Sequence, residues 1–297
     1  MTAPALRAWI SKMSSPETSF HLRPRALTIA GFDPSGGAGI LADVRTFAAF
    51  GFQASAAITS ITFQNAARVF GAINQTPEAL RAQVLPLLDE ATFACAKIGM
   101  LPTRAVVLEV ARLFREGKLP RPVVDPVIRS SSGQELMEEA ALNALIEELL
   151  PLAYVVTPNI PEAETLSGTT ITSEDDMQRA AAIIRELGAP AVLIKGGHLK
   201  KQEAGGKVRE GGSPTVSEGS KAKPQDESDE AIDVLNNEGR VTVFRERRVS
   251  GAALHGSGCI LSAGIAAGLG KGMTLEGSVA AAKSFVLHAI RESSGGA

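Results

Sequence analysis

From Ala26 onward the chain alternates short apolar runs with longer amphipathic segments, and this feature constrains the fold more than any other. It predicts repeated βα units around a mostly parallel sheet. Most of the apolar runs lack the polar alternation of half-exposed strands, which indicates that helices cover both faces of the sheet. The predicted strands are 26–32, 55–61, 95–100, 123–128, 154–159 and 191–197.

The segments between these strands carry apolar residues at three- and four-residue spacing, as amphipathic helices do. One doubly wound α/β domain over residues 25–297 fits this pattern better than two smaller domains. Residues 1–24 are expected to form a flexible N-terminal extension. The predicted helices are 39–50, 77–90, 104–117, 138–150 and 173–188, followed by two rich in Ala and Gly at 258–270 and 274–290.

A charged stretch at 200–230 interrupts the pattern. Two valines are its only bulky apolar side chains and it has no aromatic residue, so it buries too little surface to offset its ordering entropy. Residues 231–249 then read as two strands joined by the turn NNEG, which predicts a β-hairpin. We interpret 200–230 as a disordered insertion rather than as a partner-binding segment.

Composition excludes several classes of function. The formal net charge is −2, which disfavours nucleic acid as a ligand because binding a phosphate backbone needs a basic surface. No run reaches membrane-spanning length without polar interruption, so no membrane partner is expected. Cys95 and Cys259 are the only cysteines. They are too few for a disulfide framework and, with no signal peptide, they predict a cytoplasmic protein.

Two glycine-rich motifs mark points where strands meet helices. The first, GFDPSGGAG at 31–39, matches neither the GxGxxG fingerprint nor a Walker A sequence. A tight turn that needs positive φ is an equally good interpretation of it. The second, HGSGC at 255–259, begins a helix rich in Ala and Gly. Its amides and the helix dipole would stabilise a transferring phosphoryl group.

Cys259 lies in the first turn of that predicted helix. A helix N-terminus lowers the pKa of a thiol from its free value of about 8.5. We therefore expect a thiolate, able to accept a proton, to be accessible here. Taken alone, the motif favours a buried structural cysteine instead.

Four polar residues are assigned to the ends of predicted strands: Asp125, Asn159, Glu162 and Lys195. The carboxyl ends of parallel strands face the ligand crevice, so these side chains should converge. Two carboxylates and an amide suit Mg²⁺, and Lys195 suits a phosphate. Each residue alone could be a cap or a surface group. Together with a glycine-rich anion site they indicate phosphoryl transfer.

In this order, the motifs resemble the hydroxymethylpyrimidine kinase branch of the ribokinase-like superfamily. The similarity rests on AGFDPSGGAGILADVRTF, the Gln64-Asn65 pair, KIGM, VVDPV, TPNIPEAE, IKGGH and HGSGC. It implies a ribokinase-like three-layer α/β fold, with a mostly parallel central sheet and helices on both faces. It also implies ATP-dependent phosphorylation of 4-amino-5-hydroxymethyl-2-methylpyrimidine and then of its monophosphate, giving the pyrophosphate used in thiamin biosynthesis. ATP and Mg²⁺ are the implied cofactors.

The same resemblance implies roles for single residues. Gln64 is placed on the pyrimidine, Met100 against its ring, Lys195 at the phosphates and Cys259 at the acceptor hydroxyl. Gln64 also has an independent rationale, because a primary amide can donate to a ring nitrogen and accept from an adjacent amine. Asp33 is expected to be structural. The full sets are Gln64, Asp43, Met100 and Gly31 for substrate; Asp125, Asn159, Glu162 and Lys195 for the nucleotide; Asp125 and Glu162 for the metal; and Cys259, Lys195, Gly256, Ser257 and Gly258 for catalysis.

Two other functions remain open. A pyridoxal or pyridoxine kinase is the main alternative, because relatives in this branch carry the same Gly-Ser/Thr-Gly-Cys motif and phosphorylate a hydroxymethyl group on a similar ring. A non-catalytic pyrimidine-binding protein is the second, and the retained Asp125, Glu162, Lys195 and Cys259 argue against it. The resemblance also implies a homodimer.

Overall fold

The computed structural model describes residues 23–65, 68–130, 133–197, 230–247 and 255–294. The strands are β1 (Arg25–Phe32), β2 (Gln53–Gln64), β3 (Val69–Asn74), β4 (Cys95–Ile98), β5 (Val123–Val124), β6 (Val155–Val156), β7 (Ala191–Lys195), β8 (Glu230–Asn237) and β9 (Arg240–Arg247). The helices are α1 (Gly39–Ala49), α2 (Pro77–Glu90), α3 (Arg104–Arg115), α4 (Glu139–Ala144), α5 (Ile160–Ser167), α6 (Glu174–Glu186), α7 (Ser257–Gly270) and α8 (Leu275–Ser294). A π turn and a 3₁₀ turn, Leu145–Leu149 and Leu150–Leu152, continue α4.

Among the described residues, all these strands join one sheet in the order β3-β2-β1-β4-β5-β6-β7-β8-β9. Pairing is parallel from β2 through β7. Antiparallel strands close both edges, with β3 beside β2 and the β8–β9 hairpin beside β7. The mostly parallel sheet is therefore confirmed, as is the hairpin predicted at 231–249.

Alternate residues of the central strands enter two separate apolar cores, because successive side chains of a strand point to opposite faces. Val124 and Val156 belong to the core covered by α2, α3 and α6. Their neighbours Val123 and Val155 belong to the core covered by α1, α7 and α8. Helices thus cover both faces, and the predicted three-layer arrangement is confirmed.

The six predicted core strands are present, but β5 and β6 have only two residues each. Where they stop, the backbone still bonds to the neighbouring strand: the Asp125 amide donates to the Ile98 carbonyl over 2.8 Å, and the Thr157 amide to the Val124 carbonyl over 2.9 Å. The chain then turns away from the sheet. The first residues beyond β5 and β6, Asp125 and Thr157, are polar. Their side chains are therefore available to form a site.

Two elements were not predicted from the sequence. The edge strand β3 exposes Phe70 and Ile73, so it lacks the buried apolar run by which the other strands were found. Helix α5 begins with a capping box, in which the side chains of Asn159 and Glu162 each accept a backbone N–H of the other. An N-cap residue followed three positions later by Glu is a helix signal in sequence, and this helix could have been recognised.

The predicted extension at 1–24 and the predicted insertion at 200–230 lie outside the described residues, apart from 23–24 and Glu230. Strands β7 and β8 pair with Lys195 opposite Asp233. The chain therefore returns to the sheet directly beside the strand that precedes the insertion. No helix in the described ranges is long and apolar enough to cross a membrane.

Candidate active site

The glycine-rich motif after β1 forms a tight turn around Asp33. The Asp33 carboxylate accepts hydrogen bonds from the Ser35 amide at 2.8 Å, the Ser35 hydroxyl at 2.7 Å and the Ala38 amide at 2.9 Å. Gly36 and Gly39 have φ of 77° and 57°, a region that favours glycine. A Cβ on Gly39 would also lie 2.3 Å from the carbonyl oxygen of β1 residue Gly31. The tight-turn interpretation of this motif is correct.

The second glycine-rich motif packs directly on the first. Gly256 has φ of 82°, and a Cβ there would lie 2.1 Å from the Gly37 carbonyl oxygen. A Cβ on Gly37 would in turn lie 2.3 Å from the His255 ring. His255 Nε2 is 3.1 Å from Asp33 Oδ2. Two segments far apart in sequence therefore form one double turn, and glycine is required at the contact.

Helix α7 begins in this double turn with no side-chain cap from its N-cap residue, Gly256. The first amides of a helix have no partner within it, and the dipole makes that end positive. A Cβ on Gly258 would lie 3.2 Å from Lys195 Nζ and 3.8 Å from Asp125 Oδ2. The N-terminus of α7 thus faces the ends of β5 and β7.

Asp125 and Lys195 form an ion pair at this point. Lys195 Nζ donates to Asp125 Oδ1 over 2.8 Å, and the Thr157 hydroxyl lies 3.3 Å from the same oxygen. Burial disfavours the charge of Asp125, but Lys195 and Lys97 outweigh that effect and hold the pKa of Asp125 below its usual value. Burial likewise opposes the charge of Lys195, and Asp125 and Glu162 raise its pKa. Both groups are therefore charged at neutral pH.

Glu162 is buried beside this pair. Its Oε2 accepts the Asn159 amide at 2.8 Å, and Asn159 Oδ1 accepts the Glu162 amide at 2.9 Å. Burial, reinforced by the charge of Asp125, raises the pKa of Glu162 to about 7 although Lys195 opposes the shift. The Asn159 side chain thus caps α5, the alternative that its sequence position left open, and its backbone amide holds the Glu162 carboxylate.

These carboxylates fit a magnesium ion that is also held by phosphates and water. No three His, Cys, Asp or Glu side chains within the described ranges are arranged to hold a metal. Mg²⁺ commonly takes only one or two protein carboxylates and keeps several waters or phosphate oxygens. A cation next to Asp125 and Glu162 would offset the burial and the Asp125 charge that raise the pKa of Glu162.

The predicted thiolate at Cys259 is wrong for the resting protein. Burial raises the pKa of the Cys259 thiol to about 11. Lys97 and the Gly39 amide oppose this shift, while the charges of Asp43 and Asp125 add to it. The helix N-terminus that motivated the prediction does not compensate for desolvation and two nearby carboxylates. Cys259 is a thiol at neutral pH in this state.

Asp43 was predicted to bind substrate, and in the structure its carboxylate is bonded to other residues of the fold. Its carboxylate is fully buried. It accepts bonds from Lys97 Nζ at 2.8 and 2.9 Å and from the Thr28 hydroxyl at 2.6 Å. Burial opposes the charge of Lys97, but Asp43 raises the pKa of Lys97. This pair was not predicted from the sequence, although a lysine inside the apolar run CAKIGM was a signal for a buried partner.

The predicted substrate residues Gly31, Gln64 and Met100 lie at or just beyond the ends of β1, β2 and β4. Gln64 is half-buried at the end of β2, and its side chain helps to lower the pKa of Asp33. A Cβ on Gly31 would lie 2.9 Å from Met100 Sδ, so the glycine leaves room for the thioether. A cleft of about 300 Å³ opens beside Met100, between β3 and residues 134–138.

Comparison with known proteins gives a consistent picture. The family described as phosphomethylpyrimidine kinase matches residues 33–296. The hydroxymethylpyrimidine/phosphomethylpyrimidine kinase of Rhizobium meliloti (strain 1021) is 40% identical over 267 residues, 89% of this chain and 90% of that protein. The phosphomethylpyrimidine kinase of Clostridium difficile 630 superposes with a TM-score of 0.72 at 33% identity, covering 90% of this chain and 100% of that one.

An ADP complex of Bacillus subtilis pyridoxal kinase superposes equally well, with a TM-score of 0.72 at 33% identity over 89% of this chain and 90% of that one. These neighbours confirm the ribokinase-like fold. The matched range 33–296 includes both turns of the double turn, the Asp125–Lys195 pair and Glu162. This chain is therefore a kinase that belongs to the phosphomethylpyrimidine kinase family.

Proposed function

We propose that this protein transfers the γ-phosphoryl group of ATP to the hydroxymethyl group of 4-amino-5-hydroxymethyl-2-methylpyrimidine, and then phosphorylates the monophosphate to the pyrophosphate used in thiamin biosynthesis. One observation carries the proposal. The uncapped N-terminus of α7, with Cys259 in its first turn, faces the Asp125–Lys195 pair at the carboxyl ends of β5 and β7. Such a site suits phosphoryl transfer, which depends mainly on positioning and charge neutralisation.

In this proposal the phosphates of ATP lie between Lys195 and the first amides of α7, including those of Ser257 and Gly258. The Lys195 ammonium and the N-terminus of α7 both place positive charge where negative charge develops during the transfer. Asp125 and Glu162 would hold Mg²⁺, which would neutralise phosphate charge. The pairing with Asp125 fixes the Lys195 ammonium in position before the substrate binds.

The acceptor pyrimidine is placed beside Gln64 and Met100, with its hydroxymethyl group directed toward Cys259. Gln64 reads polar groups on the ring, and Met100 gives a flexible apolar surface against it. Cys259 takes the hydroxyl proton once it is ionised, with Lys97 and the Gly39 amide as the groups that favour the thiolate.

A substrate panel tests the proposed function. ATP consumption is measured with the hydroxymethylpyrimidine, its monophosphate and pyridoxal offered separately to the purified protein. We expect turnover with both pyrimidines. Turnover with pyridoxal alone would assign the chain to the alternative activity, and binding of pyrimidine with no ATP consumption would indicate a non-catalytic binding protein.

Replacing Gln64 with alanine should weaken use of the pyrimidine by about 1–3 kcal/mol, because polar groups of the ring lose their partner. The apparent affinity for ATP should change little, since Gln64 lies at the end of β2 and away from Lys195. Steady-state kinetics with each substrate varied in turn separates these effects. Equal damage to both apparent affinities would mean that Gln64 maintains the fold and does not read the ring.

Glu162 should make the magnesium requirement depend on pH. Its pKa of about 7 means that it becomes protonated as the pH falls below 7, and a protonated carboxyl is a poor metal ligand. From pH 8 to pH 6 the Mg²⁺ concentration for half-maximal activity should rise about tenfold.

Glu162→Gln is the matched control, because an amide oxygen can still accept the Asn159 amide but does not titrate. Any pH dependence of the magnesium requirement that remains in this variant comes from titration of the nucleotide itself. A magnesium requirement that changes equally with pH in the wild type and the variant would contradict the role of Glu162.

We also propose that the protein is a homodimer and acts in the cytoplasm. Support for the dimer comes from apolar side chains exposed on β2 and β3, namely Ile61, Phe63, Phe70 and Ile73. Contiguous apolar surface of this kind favours association. Support for the compartment comes from the free thiols of Cys95 and Cys259. Light scattering of the purified protein measures the mass in solution.

A further inference from the structure

Four charged side chains lie together on the side of the sheet that α7 and α8 cover. Lys195 of β7 and Asp233 of β8 are directly opposite each other in the antiparallel register. Leu193 and Leu235, two residues away along the same strands, pack in the core covered by α7 and α8. Since alternate residues of a strand share a face, Lys195 and Asp233 point to that side too. The four side chains alternate in sign and form two ion pairs: Asp125 with Lys195, and Asp233 with Lys283 of α8.

Both oxygens of Asp233 are bonded to partners other than Lys195. Its Oδ1 accepts the Gly196 amide at 2.9 Å, and its Oδ2 accepts Lys283 Nζ at 2.5 Å. Asp233 and Lys283 are almost fully buried, so solvent screens this ion pair little. Lys195 Nζ in turn donates to Asp125. Each of the two carboxylates thus has its own lysine.

The backbone that carries Lys195 is held on both sides, and only its side chain is left to move. The Lys195 amide donates to the Pro158 carbonyl over 2.9 Å, and the next amide is the one that Asp233 accepts. A Cβ on Gly196 would lie 2.0 Å from the Ile232 carbonyl oxygen, so the chain packs closely against β8. The lysine stem, however, is flexible.

The Lys195 ammonium can reach Asp233 as well as Asp125. Residues directly opposite in an antiparallel pair have Cβ atoms about 4.5–5.5 Å apart, which a four-carbon stem spans. Asp233 without Lys283 would be a buried carboxylate that lacks an ionic partner, and such a charge is strongly unfavourable. It would therefore compete with Asp125 for the Lys195 ammonium.

We propose that Lys283 is a positioning residue for the nucleotide site: by pairing with Asp233 it keeps that carboxylate from drawing the Lys195 ammonium away from Asp125 and from the N-terminus of α7. The inference rests on the proposed function in one respect, that Lys195 contacts the phosphates of ATP. Lys283 itself need not touch the nucleotide. It acts through Asp233 on the place where the Lys195 charge is held.

Calorimetric titration of ATP, with Mg²⁺ present, compares two variants that break the same ion pair from opposite ends. Lys283→Met leaves the Asp233 charge in place, so Lys195 is drawn to it. The Kd of ATP should then rise about 10–100-fold, the effect of losing a hydrogen bond between charged groups. Asp233→Asn removes the charge and keeps an oxygen for the Gly196 amide. Lys195 then stays on Asp125, and the Kd of ATP should stay within a few-fold of the wild type.

The Kd of the pyrimidine, measured on the same proteins, separates positioning from a general effect on the fold. It should be unchanged in Lys283→Met, because Gln64 and Met100 lie at the end of β2 and just beyond β4. A pair that serves only the fold would lose stability in both variants and would leave ATP binding alike in the two. An equal Kd of ATP in folded Lys283→Met and Asp233→Asn therefore overturns the proposal.

The double variant Lys283→Met with Asp233→Asn keeps the proposal falsifiable if Lys283→Met alone does not fold. It removes both charges, so no second carboxylate competes for Lys195, and the Kd of ATP should match that of the wild type. Weakened binding of ATP by the folded double variant would contradict the proposal, because the effect of Lys283 would then not pass through the Asp233 charge.

Lys195→Met tests the premise separately. It should raise the Kd of ATP at least as much as Lys283→Met does. An unchanged Kd would mean that Lys195 does not contact the phosphates, so the proposed nucleotide site would fail and the inference with it. A raised Kd in Lys195→Met together with a wild-type Kd in Lys283→Met would overturn the inference alone.

Discussion

Replacing Cys259 with alanine should lower kcat by about 10²–10⁴ while the apparent affinity for the pyrimidine stays within a few-fold. That is the contribution of a positioned proton acceptor. The fold should survive, because alanine suits the first turn of a helix built from small residues. Steady-state kinetics with the pyrimidine varied at saturating ATP measures both quantities.

The raised pKa of Cys259 adds a second expectation. At a pKa of about 11, only a trace of thiolate exists at neutral pH in the resting protein. If the thiolate takes the proton, kcat of the wild type should rise with pH through the range above 8. The same profile in Cys259→Ala should be flat, because the titrating group is gone.

Cys95→Ala is the matched control, since Cys95 is the other thiol of the chain and is buried against α7 near Gly270. It should keep kcat near the wild-type value. If Cys259→Ala also retained turnover within a few-fold of the wild type, the assignment of the proton acceptor would be wrong. Transfer would then depend on the amides of α7, Lys195 and the metal, which a loose transition state allows.

The location of the site could be predicted from the sequence because it follows from topology. Asp125 directly follows the apolar strand β5 and Lys195 ends β7, and parallel strands bring their carboxyl ends to one edge of the sheet. HGSGC was predicted to begin a helix, and α7 does begin at Ser257, with Gly258 near Lys195. These inferences needed only the order of the elements.

The chemical state of the site could not be predicted in the same way. The pKa of Cys259 depends on burial and on Asp43, Asp125 and Lys97, which come from different elements of the chain. Local sequence shows only the helix N-terminus, and that favours the opposite shift. Asp43 likewise lies in helix α1 between Ala42 and Val44, and nothing in the sequence of that helix shows that Lys97 of β4 is its partner.

Lys97→Met should lower the free energy of unfolding by about 3–5 kcal/mol, because it leaves the Asp43 charge buried without its ionic partner. Both side chains are fully buried, with 2.8 Å between Lys97 Nζ and Asp43 Oδ2. Chemical denaturation followed by far-UV circular dichroism measures the loss. Lys118→Met is the surface control, since Lys118 is 60% exposed and lies 3.6 Å from the exposed Asp89. It should cost less than about 1 kcal/mol.

The double variant Lys97→Met with Asp43→Leu separates stability from chemistry. Removing both charges should restore much of the stability, because apolar groups of similar volume often replace a buried ion pair at little cost. The double variant loses Lys97, which favours the Cys259 thiolate, and Asp43, which opposes it. If the pair serves only the fold, the restored protein should regain the kcat and pH profile of the wild type. A double variant that is as stable as the wild type but has lost turnover would instead show that this buried pair sets the charge of the catalytic cysteine.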